Sequence, residues 1–200
     1  MTTLLSQARS AVSELTAAKV AYDRATDQRE IVYTDLPKLA TRLLNALAVS
    51  GASTQTIDNV RTIVRRIKGY VSADRPPIPS EAVAVAKRRA RGLDYASQLG
   101  NWAVLLEMLE AEAKYRPAER ELRIATLKTT LSAMRAQSTA VNQAMVVLEK
   151  ALQERDRVLY TQPGNLFEVS ALAKGYVKSV YGTSHAWYKS AAKIRFTKYK

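Results

Sequence analysis

Apolar positions recur at helical spacing along most of the chain, and the breaks between runs carry helix-terminating residues. From Thr3 to Thr34, Ala8, Ala11, Leu15, Ala18, Tyr22, Ala25, Arg29 and Val32 follow alternating steps of three and four. That spacing places them on one stripe of a helix roughly 45 Å long. The stripe is narrow and rich in alanine, which permits close helix approach. Arg29 interrupts it, so the seam is expected to reach solvent or an acidic partner there. Pro37 marks the next break, with Asp35 as the expected cap and the proline in the first turn of a new helix. Leu36, Leu39, Ala40, Leu43, Leu44 and Leu47 define its apolar face. Ser50-Gly51-Ala52-Ser53 stops that helix, and Ser53 or Thr54 starts another. Ile57, Val60, Ile63, Val64 and Ile67 line its inner side, while Arg61, Arg65, Arg66 and Lys68 crowd the rest.

Pro76, Pro77 and Pro79 predict a stiff elbow over residues 75–79, separating an N-terminal unit, 1–74, from a C-terminal unit, 80–200. The two are expected to form one continuous bundle. Ser80 suits a cap, and Val83, Ala86, Ala90, Leu93, Ala96, Gly100, Ala103, Leu106 and Leu109 predict a single helix after it. Gly92 and Gly100 within it read as points of close packing or bending. Pro117 then opens the longest run, to Tyr160. Its register is Ile124, Leu127, Leu131, Met134, Ser138, Val141, Met145, Leu148, Leu152, Arg155 and Leu159. Strict alternation of three and four is heptad spacing, in a helix of about 43 residues and roughly 65 Å. Gln162-Pro163-Gly164-Asn165 ends it. A shorter helix is expected over 166–181 through Val169, Leu172, Ala173, Tyr176, Val177 and Val180. Gly182 closes that helix, Ser184 is the expected cap of one more through Ala192, and KIRFTKYK follows as a short strand or docked tail. The fold class is all-α, an elongated antiparallel helical bundle with long helices.

Two corners echo one another. Ile31-Val32-Tyr33-Thr34 matches Val158-Leu159-Tyr160-Thr161, each after a charged run and before a proline that leads into a leucine-containing helix. A basic helix lies downstream of both. An internal duplication accounts for this, as do two helical corners built by chance from the same residues.

Composition changes this picture chiefly through charge. The chain of 200 residues is 47% hydrophobic, has 31 basic and 18 acidic side chains, and carries a net +13. Residues 61–91 hold nine basic and two acidic side chains, and residues 161–200 hold seven basic against Glu168 alone. The remainder is balanced, so the whole excess sits in two segments. Such fields attract anionic partners without determining the fold.

Little chemistry suggests itself. Without cysteine there is no thiol nucleophile or thiolate metal site, and His185 is the single histidine. Glu107 and Glu110 face one another at i,i+3 but belong to no Glu-x-x-His pair, so a di-iron bundle is disfavoured. They are expected to pair with Lys114 and nearby arginines. Ser184-His185 lacks a third member for nucleophilic catalysis, and capping or aromatic packing suits His185 better. Phosphate-loop, dinucleotide, zinc and calcium motifs are missing. The expectation is no enzyme, no metal and no cofactor.

The C-terminal segment interleaves Tyr176, Tyr181, Trp187, Tyr188, Phe196 and Tyr199 with Lys174, Lys178, Lys189, Lys193, Arg195, Lys198 and Lys200. Three uses are open to this composition: core packing with a docked tail, a protein interface, or base stacking with phosphate contact. Tyr176 to Gly182, Tyr188-Lys189 and Ile194 to Lys198 resemble the C-terminal pattern YVKSVxG, YK, IxFTK of a group of bacterial basic helical proteins. The resemblance covers a small part of the chain and implies only that this corner is a defined structural unit.

The function expected is a structural or protein-interaction component, part of a larger assembly, with a protein partner or homo-oligomer. The alternative is a nucleic-acid-binding or ribosome-associated protein contacting phosphate backbone. An anionic membrane surface is disfavoured. The partner-facing residues expected are Arg61, Arg65, Arg66, Lys68, Lys87, Arg88, Arg89 and Arg91, with Tyr176, Tyr181, Trp187, Tyr188, Lys189, Lys193, Arg195, Phe196 and Lys198. The opening MTTLLSQARSAVSELTAAKV has neither a basic leader nor a continuous apolar run, which points to the cytoplasm.

Overall fold

The amphipathic stripes become helices. A computed structural model describes residues 2–69 and 94–195, and the regular elements among them are all helical. They are α1 (Thr2–Thr34), α2 (Leu36–Val49), α3 (Thr54–Ile67), α4 (Tyr95–Ala111), α5 (Ile124–Asp156), α6 (Leu166–Tyr181) and α7 (Ala186–Lys193). A 3-10 turn, Arg120–Leu122, precedes α5, and a π-helical turn, Arg157–Thr161, follows it. Among the described residues the fold is an all-α, largely antiparallel helical bundle with two long helices. The elbow at 75–79, the expected cap Ser80, Gly92, and the site residues Lys87, Arg88, Arg89, Arg91, Phe196 and Lys198 lie outside the described residues.

The chain forms two compact units, Met1–Arg24 with Asn142–Lys200, and Ala25–Val141. The second has the larger core. Leu36, Ala40, Leu43 and Leu47 of α2, and Val60, Ile63, Val64 and Ile67 of α3, are buried as their spacing predicts. Trp102, Leu105, Leu106 and Leu109 of α4 join them, with Leu127, Leu131 and Met134 of α5. Ser53 caps α3 by accepting from the Thr56 N–H at 3.1 Å. Tyr33, outside the predicted stripe of α1, is buried, and its hydroxyl lies 3.3 Å from Ser138 Oγ. Its ring meets Tyr95 edge-on, 4.9 Å between centroids, and Arg29 lies over the Tyr95 ring at 3.9 Å. The charge that interrupts the alanine stripe therefore finds an aromatic face, not the expected solvent or acidic partner.

Several boundaries depart from the periodicity. Of the helix expected from Ser80 onward, residues 80–93 lie outside the described residues; Asp94 is extended and accepts from the Ser97 N–H at 2.7 Å, so α4 starts at Tyr95. These hydrogen bonds hold the Asp94 carboxyl below its usual range. The inner face of α4 is turned accordingly. Ala96 and Gly100 are exposed, with open space where a Cβ at Gly100 would sit, so close packing does not explain that glycine. The long helix starts at Ile124, not near Pro117, because Arg123 is extended after the 3-10 turn. Up to Val141 its stripe buries Leu127, Leu131, Met134 and Val141, with Ile124 and Ser138 half-buried. Beyond that point Leu148, Leu152 and Leu159 are half-buried, Met145 is exposed, and Val158 is the buried side chain. Asp35 stays helical and makes no side-chain cap; its carboxylate pairs with Lys38 at 3.2 Å. Glu110 pairs with Lys128, and Lys114 donates instead to the Gly51 carbonyl at 2.8 Å.

A long helix followed by two shorter ones occurs twice, as α1–α2–α3 and α5–α6–α7, and both long helices have 33 residues. This is consistent with duplication, although the echoing corners differ in detail: Ile31 is exposed where Val158 is buried.

Tyr115 closes the loop between α4 and α5. It is buried and donates to the Leu122 carbonyl at 2.9 Å. Burial, reinforced by the Glu119 charge, pushes its pKa up to about 12. The unfolded chain releases this proton near pH 10, ahead of the folded chain. The stability that Tyr115 contributes is therefore complete below about pH 10 and is lost as pH rises toward 12. Tyr115→Phe is expected to cost about 1 kcal/mol at neutral pH and to flatten that alkaline decline. Urea unfolding of both proteins across the alkaline range measures it, and parallel declines would refute the assignment.

Candidate functional site

The candidate site is built at the corner that Asn165 fixes. Asn165 is the one buried polar side chain among the described residues, and all of its polar atoms are used. Its oxygen accepts from the Glu168 N–H at 2.9 Å, capping α6, and its amide donates to the carbonyls of Tyr160 and Gln162 at 3.2 and 2.9 Å. Gly164 has φ +70, and its N–H donates to the Glu168 carboxylate at 2.9 Å. The pair works as a capping box displaced by one residue. At the other end Gly182, φ +77, terminates α6 by donating to the Lys178 carbonyl at 2.9 Å.

His185, not Ser184, caps α7: its Nδ1 accepts from the Trp187 N–H at 3.2 Å, which requires the unprotonated nitrogen. The imidazole is also one corner of a three-ring cluster. Tyr181 lies 4.9 Å away and Trp187 5.5 Å, while Tyr181 and Trp187 meet edge-on at 4.8 Å. Lys174 donates to the Ile194 carbonyl and ties the end of α7 to α6.

No side chain of α6 is buried. Leu166, Val169, Ala173 and Val177 are half-buried, and Leu172, Tyr176 and Val180, at i, i+4 and i+8, stand 74%, 69% and 51% exposed. Tyr176 and Val180 thus do not complete the core. Beside their ridge run Ala171, Gly175 and Ser179, also exposed, and a Cβ on Gly175 would meet open space. Trp187 and Ile194 are exposed as well, and Tyr188 is half-buried. Lys178, Lys189, Lys193 and Arg195 are exposed and make no ion pair with a described residue.

The second group of expected residues belongs to the other unit. Arg61 in the middle of α3, Arg65 and Arg66 in its last turn and Lys68 just after it are exposed; Arg61 bonds to Asp58, and the other three pair with no described residue. The sequence reading missed the capping role of Asn165, which its Asn-x-x-Glu spacing signals, and the small-residue stripe beside the ridge. Among the described residues no three His, Asp or Glu side chains converge as a metal site, and no helix is long and apolar enough to cross a membrane. Comparison with protein-family models, with curated proteins and with solved structures finds no match.

Proposed function

We propose that this chain is a non-enzymatic interaction protein whose unit Met1–Arg24 with Asn142–Lys200 is completed by a protein partner. The observation that carries the reading is a lopsided distribution of apolar surface. Among the described residues, 15 large hydrophobic side chains are exposed, and 12 of them lie in this unit. Among the described residues its buried apolar side chains are Ala8, Ala11, Ala18 and Val158, against 19 in the other unit. Scattered exposed apolar residues need no explanation, but their concentration where the core is thin does. Burying one leucine-sized side chain is worth about 1.5–3 kcal/mol, so a few of these positions supply a substantial association energy. A second reading, phosphate contact through α3, is favoured by Arg65, Arg66 and Lys68 standing without described carboxylate partners.

Native mass measurement of the chain purified gently from its own cells tests both. The expected result is a protein complex that Trp187→Ala with Tyr188→Ala disrupts while helicity is kept. A monomer at every concentration would refute the interaction reading. Nucleic acid that copurifies and is released by salt would favour the second.

A further inference from the structure

The interaction reading leaves the partner's chemistry open, and the face of α6 narrows it. Leu172, Tyr176 and Val180 form a ridge about 12 Å long, with Ala171, Gly175 and Ser179 as a shallow trough beside it. Rows at i, i+4 and i+8 are the ridges and grooves by which one helix receives another. The small side chains let a second backbone approach, and the ridge fills the space between its side chains.

Charge decides among occupants. Residues 161–200 hold seven basic side chains and Glu168 alone, whose carboxylate already accepts from the Gly164 N–H. Lys178, three residues on from Gly175 and so beside the trough, and Lys189, Lys193 and Arg195, in and just after α7, are exposed without a described counterion. A second copy presenting the same face would set these cations against their own kind. Nucleic acid fits the ridge poorly, since Leu172 and Val180 have no ring to stack on a base, and the rings of Tyr181 and Trp187 already meet each other edge-on.

Resting on the interaction reading above, we infer that the ridge and trough of α6 receive an amphipathic helix of a protein partner, apolar on one side and acidic along its flanks. Its apolar side chains straddle Tyr176, and its carboxylates meet Lys178 and the excess positive charge of this segment. This is helix-in-groove recognition, with packing supplying affinity and charge supplying orientation and encounter rate.

The test uses the full chain and a synthetic probe: a capped helical peptide of about 20 residues, long enough to hold helix, with leucines on one face and glutamates on the flanks. A scrambled peptide of identical composition, a single-stranded oligonucleotide and vesicles containing phosphatidylglycerol complete the set. Fluorescence anisotropy is expected to show the amphipathic peptide binding about tenfold or more tightly than the scrambled one. Leu172→Ser with Tyr176→Ser, both at exposed positions, is expected to remove that preference at unchanged helicity, a loss of about tenfold or more. Lys178→Glu should weaken binding chiefly at low salt. Equal binding of the scrambled peptide, no peptide binding, or tighter binding of oligonucleotide or vesicles that depends on the same two residues would each overturn the inference. A native complex that survives those outcomes would leave the interaction reading standing, whereas a strictly monomeric native chain that binds the peptide would overturn that reading instead.

Discussion

Replacing Trp102 with alanine is expected to cost about 3–5 kcal/mol, a large fraction of the stability of a typical domain. The indole is 1% exposed among the buried leucines and isoleucines of α2, α3 and α4. Truncation loses its transfer energy and leaves a hole that helices on several sides close only in part. Trp102→Phe should behave differently. Nε1 is buried with no described hydrogen-bond partner, so the native protein already bears the cost of desolvating that donor. Phenylalanine removes the donor while keeping most of the ring, and the net loss should stay below about 1.5 kcal/mol. Urea unfolding followed by far-UV circular dichroism compares the three proteins. Equal losses for Phe and Ala would show that the N–H contributes a bond.

Asn165→Ala is expected to cost about 2–3 kcal/mol and to loosen α6 and α7 before the rest of the chain. The substitution removes the cap of α6 and strands the carbonyls of Tyr160 and Gln162 at a buried position. No side chain of α6 is itself buried, so little else compensates. Asn165→Asp keeps the acceptor, loses both donated bonds and should fall between wild type and alanine. Amide hydrogen exchange resolved along α6 reads the effect: protection should drop there while α2 and α3 keep theirs. Uniform loss across all helices would mean that the corner is part of the global folding unit.

The positions of α2 and α3 were legible because each has one apolar stripe and a polar remainder. Leu43, Leu47, Val60 and Ile67 had one direction in which to be buried. The same logic fails in α6, where Val169, Ala173 and Val177 compete with Leu172, Tyr176 and Val180 for the inner side. Periodicity finds both stripes, and only tertiary packing selects between them. In α4 a regular spacing continued through a residue that caps better than it propagates: the carboxylate of Asp94 satisfies the Ser97 N–H and starts α4. The basic and aromatic C-terminal residues could be named from composition, but their exposure could not, because tyrosine and tryptophan serve cores and interfaces equally well. His185 was recognisable as a capping or packing residue; that it does both at once depends on where the turn places Tyr181 and Trp187.

Gly164 and Gly182 give α6 a fixed measure. Each holds a positive φ that other residues adopt only with strain, and they stand just outside the two ends, one before the Asn165 cap and one after Tyr181. The helix between them spans about 24 Å and has no latitude to lengthen or slide. A single residue gained or lost near Gly175 would turn everything beyond it by about 100°, so Tyr176 and Val180 would leave the line of Leu172. The segment should therefore tolerate exchange of its side chains far better than any change in their number.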